Sequence, residues 1–220
     1  LGYKEWINSS SEWRTNGEKT FDDFLSRFNS NQRRNIKKER KSILKQNVEI
    51  KILEENNINL EIAQKMHGFY EQHCLRWGVW GSKYLTSSFF ENIIENKKNL
   101  LFISASKKDS DNIIAMSMCV KNKKNLWGRY WGSQEEILNL HFELCYYQPI
   151  EWAIKNNIQI FDPGAGGKHK RRRGFFAQST KSLHKWFNKN MESIITPWLK
   201  EINIQTKEEI ELENNSMPFK

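Results

Sequence analysis

A mixed α/β fold, with a mostly antiparallel sheet flanked by helices, is the architecture this sequence predicts, and three observations carry it. Three apolar runs, at 100–105, 113–120 and 126–131, are separated by short turns of Asn, Lys and Asp, the mark of strands joined in an antiparallel meander. Helical spacing precedes them, with Phe21, Phe24, Leu25 and Phe28 falling on one face. After them an apolar helical pattern over 142–154 leads into an extended run at 158–161, and a strand reached by a crossover helix pairs parallel to its predecessor.

The remaining elements follow in order. Ile36, Ile43 and Leu44 continue a narrower apolar stripe through a basic stretch, which predicts two helices or one bent helix before residue 46. Residues 48–53 alternate weakly as a strand, 60–77 form a second long helix, and 86–96 a short helix with Ser and Thr available as caps. In the 142–154 helix, Phe142, Cys145, Tyr146, Pro149, Ile150, Ala153 and Ile154 share a face. Pro149 cannot donate to the Cys145 carbonyl, so a kink is expected there. Two helices are predicted to close the chain, one with Leu183, Trp186 and Phe187 and one with Ile194, Ile195, Trp198 and Leu199, before an acidic solvated tail at 208–214. The absence of repeats and long linkers predicts one domain, 1–220.

Composition bounds the function. With 220 residues, 38% hydrophobic and nine Trp, the chain can bury a full core and is not a disordered one. No run approaches the ~18 apolar residues of a membrane span, and residues 1–10 lack the pattern of a secretion signal. A soluble, cytoplasmic protein is expected. Cys74, Cys119 and Cys145 are too scattered for a disulfide framework or a zinc site, so no metal is assigned. The formal charge of +9 concentrates at 33–45, 121–124 and 168–173, which predicts an anionic partner. The 121–124 run reads as a solvated turn.

Three motifs sharpen the picture: Trp127-Gly128-Arg129-Tyr130-Trp131-Gly132; His141-Phe142-Glu143-Leu144-Cys145-Tyr146-Tyr147; and Gly164-Ala165-Gly166-Gly167-Lys168-His169-Lys170 with Arg173-Gly174-Phe175. Together with the basic segment Arg33 to Arg40 and the order of elements, they resemble the FemAB-like family, peptidoglycan biosynthesis or recognition, of the GNAT acyltransferase superfamily. The resemblance runs from about Phe21 to Phe219. It implies a GNAT-like fold and acyl transfer to an amine acceptor, with an aminoacyl-tRNA or an acyl-CoA as co-substrate. It also implies that the chain is the C-terminal part of a longer family member. Gly166 and Lys168 depart from the Gln and Glu expected of the family. Superfamily members that use acetyl-CoA carry a basic, glycine-rich loop after the fourth strand. Here that loop is 132–138, with Glu135 and Glu136 and a single glycine. Carboxylates there would repel a pyrophosphate, which favours an aminoacyl-tRNA donor and an amine acceptor on a cell-wall precursor.

Acyl transfer to an amine needs a base and oxyanion donors, and His141 and Glu143, at the start of the crossover helix, are the candidates. Two residues apart on an ideal helix is about 160° of rotation, so both face one site only if His141 lies before the first turn. Tyr147, four residues after Glu143, is a third candidate, while Tyr146 reads as core. Arg129, in the middle of an apolar strand, is expected to pair with an acid, Glu143 being nearest in sequence, or to bind ligand. Strand alternation puts Trp131 on the same face as Arg129. In the 164–175 segment, Gly164, Gly166 and Gly167 let the backbone approach a ligand closely, and Lys168, His169, Lys170 and Arg173 suit a phosphate or carboxylate. This loop leaves the carboxyl end of a parallel strand, where ligands collect, and is expected to face the start of the 141–154 helix as a wall of the cleft. Its cations, taken as exposed, should add no more than about 1 kcal/mol each to stability. The rival from another class is a non-catalytic RNA-binding module that uses the 33–45 helix and the same loop.

Overall fold

The computed structural model describes residues 2–81, 83–164 and 166–220. Along the chain lie β1 (Lys4–Arg14), α1 (Phe21–Ser26), α2 (Ser30–Lys45), β2 (Val48–Leu53), α3 (Leu60–Leu75), α4 (Ser87–Ile93), β3 (Leu100–Lys107), β4 (Ile113–Lys121) and β5 (Asn125–Ser133). Then follow α5 (Leu140–Phe142), a π turn (Glu143–Tyr147), α6 (Gln148–Lys155), β6 (Ile160–Asp162), a 3₁₀ turn (Lys168–Arg173), β7 (Phe176–His184) and α7 (Lys189–Asn215). These fall into two compact units, one of residues 14–163 and one of 1–13 with 164–220.

In the larger unit the strands run β2-β3-β4-β5-β6. The first four are antiparallel and β6 is parallel to β5, as the crossover helix required. Strands β3 and β4 are buried on both faces, which is why their sequences read as nearly unbroken apolar runs. Side chains alternate between two cores. Phe102, Met116 and Met118 pack with Met66, Phe69 and Phe90 of α3 and α4. Ile103, Ala105 and Ala115 pack with Ile43, Leu140 and Leu144.

The first helical stretch divides into two because it carries two N-caps. The Thr20 hydroxyl accepts from the Asp23 amide at 3.0 Å, and the Asp23 carboxylate answers the Thr20 amide at 2.9 Å, a reciprocal capping box. Asn29 then caps α2 through the Gln32 amide at 3.0 Å. Around Pro149 the chain forms a π turn where a kink was expected. The Gln148 amide reaches back five residues to the Glu143 carbonyl, so the next carbonyl, Leu144, faces the proline nitrogen, which has no hydrogen to give. The buried Ser117 hydroxyl on β4 donates to that carbonyl at 2.8 Å.

In the smaller unit β1 and β7 pair antiparallel from Lys4 opposite His184 to Glu12 opposite Phe176. Asparagines of α7 bind the strand backbones. Asn203 accepts from the Ile7 amide at 2.8 Å and donates to the Glu5 carbonyl at 2.8 Å, and Asn214 does the same for Ala177 at 2.8 and 3.0 Å. One expectation is corrected here. Leu183 lies on β7, and Trp186 and Phe187 precede α7, so the first closing helix is absent; the segment instead finds a strand partner in β1, far away in sequence. The acidic 208–214 segment forms the last turns of α7, held by Asn214. Among the described residues no helix is long and apolar enough to cross a membrane.

Candidate active site

Strand β5 carries the motif from Trp127 to Gly132. Its pairing with β4 shifts between Cys119, opposite Gly128, and Met118, opposite Tyr130. Arg129 is thus an extra residue in a bulge, and bulges re-aim side chains and gather next to active sites. The bulge interrupts the regular two-residue alternation at this point. Tyr130 packs on the α3 side, 5.1 Å from the Tyr70 ring, and Trp131 on the Leu144 side. Arg129 is exposed and makes no ion pair among the described residues. Its expected partner, Glu143, is held elsewhere, so the Arg129–Glu143 pairing is corrected.

His141 is the second residue of α5, half-buried, with its ring 5.1 Å from Trp131 and 5.2 Å from Tyr146. The structure therefore brings Trp131 and His141 together. Glu143, two residues on, points into the protein and is 4% exposed. Its Oε1 accepts from Arg40 Nη2 at 2.9 Å, Arg40 Nε at 3.2 Å and Gln148 Nε2 at 2.7 Å. Arg40 Nη2 also donates to Glu151 at 2.8 Å, and the guanidinium stacks on Phe21, 4.4 Å from the ring centre. Burial alone would push the Arg40 guanidinium down, but the Glu143 charge and the bonds to Glu143 and Glu151 outweigh it and hold the group above its ordinary value. Glu143 is thereby an anchor for helix α2.

Tyr147 is corrected as well. The sequence placed it where it could reach a substrate, yet it is fully buried, with its hydroxyl donating to Glu39 of α2 and its ring edge-on to Phe21. A ring of this size gains more from burial than from solvent, and Glu39 satisfies its one polar atom. Arg40, Glu39, Gln148 and Glu151 were all missed. The signal for Arg40 was its spacing, since Ile36, Arg40 and Ile43 fall on one helical face.

The 164–175 loop belongs to the smaller unit. Gly164, Gly166, Gly167 and Gly174 all have positive φ, between 71° and 90°, a region other residues enter only with strain. The turns fold the loop back on itself, so its cations meet its own carbonyls. Lys170 Nζ donates to the Gly164 carbonyl at 2.7 Å, and Arg173 Nη1 to that of His169 at 3.0 Å. Both side chains are buried, 3% and 4% exposed, which corrects the expectation of exposed, energetically minor cations. His169 is half-buried, Gly166 and Gly167 are exposed, and the Lys168 side chain and Ala165 lie outside the described residues. Lys170→Ala and Arg173→Ala are each expected to lower stability by about 1.5–3 kcal/mol, the range for hydrogen bonds to charged groups. Urea midpoints with unchanged slopes would report it.

Among the described residues no group of three or more His, Cys, Asp or Glu is arranged to hold a metal.

Solved structures resemble this chain at low identity. L-PGS from Bacillus licheniformis matches with a TM-score of 0.50 at 7% identity, over 75% of this chain and 49% of that one. The C-terminal domain (DUF2156) of a putative lysylphosphatidylglycerol synthetase from Agrobacterium fabrum matches with a TM-score of 0.50 at 10% identity, over 78% and 52%. FemX gives 0.49 at 10% identity, over 85% and 63%. The chain spans about half the length of the two synthetase chains. No match is found among curated proteins. The family comparison is decisive because the family's model matches residues 1–220: the chain belongs to the FemAB-like family, described as peptidoglycan biosynthesis/recognition.

Proposed function

We propose that this chain is an acyltransferase that moves an aminoacyl group from aminoacyl-tRNA to an amine of a cell-wall precursor. The observation that carries the reading is the family match over the whole chain. In the reaction the acceptor nitrogen attacks the ester carbonyl, the amine loses a proton, and the ribose oxygen leaves with one. His141, half-buried against Trp131, is the candidate to hold that proton. Exposed Arg129 is the candidate to bind an anionic part of the donor or the developing oxyanion. Glu143, engaged by Arg40 and Gln148, is assigned a positioning role.

The test is transfer of a radiolabelled amino acid from charged tRNA to an amine-bearing precursor. His141→Ala is expected to slow it by about 10²–10⁴-fold, the usual worth of a general base, and to lower the thermal transition only modestly through the lost packing on Trp131 and Tyr146. CoA is expected to bind poorly. In the loop after β5 the Gln134 amide is already engaged, donating to the Ile114 carbonyl at 2.8 Å. Lys107 offsets Glu135 at 2.7 Å, so the repulsion rests mainly on Glu136. Micromolar CoA affinity by calorimetry, together with transfer from acetyl-CoA, would replace this reading with an acetyltransferase. Absence of turnover with every donor would make the chain a binding module.

A further inference from the structure

Helix α2 has two cationic sides with different fates. One is turned inward. Ile36 and Ile43 are buried, Arg40 between them is clamped by Glu143 and Glu151, and Glu39 accepts from Tyr147. These bonds fix the helix to its unit as a rigid rod. The other side carries Arg34, Lys38, Lys41 and Lys45, all exposed. Their offsets of four, seven and eleven residues place them within about 60° of one another on an α-helix, along about 16 Å of its length. Lys38, Lys41 and Lys45 form no ion pair among the described residues. Lys37 flanks the stripe and makes only a solvent-exposed pair with Asp22 at 3.4 Å.

Four cations in one line repel each other, and among the described residues no carboxylate pairs with Lys38, Lys41 or Lys45, so the stripe is suited to a partner with regularly spaced negative charge. We infer that this outer face of α2 binds the phosphate backbone of an RNA, and that it is the surface on which the donor tRNA of the proposed reaction docks. The inference rests on that reading of the function. A rod of about 16 Å lies along several consecutive phosphates of a strand. The other cationic segment is a weaker candidate, because its Lys170 and Arg173 are buried and bonded to their own loop. An anionic membrane is disfavoured too. Surface-lying helices insert Trp, Phe and Leu side chains, and among the described residues of α2 the one large exposed apolar side chain is Leu44.

The test is filter binding of bulk deacylated tRNA by the full chain across a salt series. The triple variant Lys38→Gln, Lys41→Gln, Lys45→Gln is compared with an isocharged control, Lys189→Gln, Lys200→Gln, Lys207→Gln, whose positions are exposed on α7. Circular dichroism checks that both fold. The expected result is a loss of affinity of at least tenfold in the α2 variant at 100 mM salt, and a fall in the slope of log K against log salt of about 2–3. The control should lose far less. Equal losses in both variants would reduce the effect to net charge and overturn the inference, as would unchanged binding in the α2 variant. Binding of anionic vesicles with no binding of tRNA would overturn it in favour of a lipid surface. If tRNA binds normally to the α2 variant and transfer proceeds, the docking surface is wrong and the proposed function stands. If transfer runs from acyl-CoA and no tRNA is bound, the function itself fails.

Discussion

Arg40→Ala is expected to destabilise the larger unit by about 3–5 kcal/mol, the cost of removing one partner from a buried ion pair. The loss would come chiefly from Glu143, which is 4% exposed and would keep only Gln148 at 2.7 Å. Glu151 loses less, since Lys155 still donates to it at 3.0 Å. The phenyl face of Phe21 would lose its cation as well. Removing both charges, as in Arg40→Met with Glu143→Gln, is expected to recover much of the loss, because no buried charge is then left alone. Chemical denaturation of the two variants checks this; a double variant no better than the single would mean that packing, and not charge, is what Arg40 supplies.

Acid makes the same point with a definite sign. Burial tends to raise the Glu151 carboxyl, but hydrogen bonds from Lys155 and Arg40 prevail and hold it below its usual 4.5. A carboxylate depressed in the folded state contributes stability that is present above its unfolded value and is lost as pH falls through the folded one. The gap between wild type and Arg40→Ala should therefore narrow below about pH 4.5 and stay constant above it.

Gly132→Ala is expected to cost at least about 3 kcal/mol or to prevent folding. A Cβ at Gly132 would stand 2.2 Å from the carbonyl oxygen of Phe69 on α3. That atom is backbone in the middle of a helix and cannot turn aside, so α3 and β5 would have to separate, at or beyond the usual cost of overpacking. Two neighbours calibrate the effect. At Gly128 the added carbon would meet Pro163 at 3.3 Å, a tight approach worth about 1 kcal/mol. At Gly68, inside α3, it would meet nothing within 4 Å, and alanine should stabilise the helix by about 0.5–1 kcal/mol. A thermal melt of Gly132→Ala indistinguishable from that of Gly128→Ala would show that α3 and β5 are less closely apposed than described.

Much of the architecture could be read from local pattern. The meander of β3, β4 and β5 follows from apolar runs and turns of a few residues, and the parallel pairing of β6 from the helix before it. The caps that divide α1 from α2 are spelled by Thr20, Asp23 and Asn29. Such features depend on residues within a few positions of each other, where propensity and hydrogen bonding are settled locally. β1, and the strand character of Leu183 and His184, are not legible in local pattern, because the partner that makes each a strand lies about 170 residues away in the chain.

The candidate site divides the same way. The sequence by itself placed Trp131, His141, Glu143 and the glycine loop in the family's motifs, since residue types at fixed spacing carry that information. Only the tertiary structure decided which of them are buried and by whom. Glu143 points inward because Arg40, 103 residues earlier, reaches it. Tyr147 turned inward because Glu39 could satisfy its hydroxyl, and Lys170 and Arg173 because positive-φ glycines brought them back to their own carbonyls. Burial and charge pairing are properties of surfaces that meet in space, and a single buried ion pair outweighs any local preference in fixing where a side chain points.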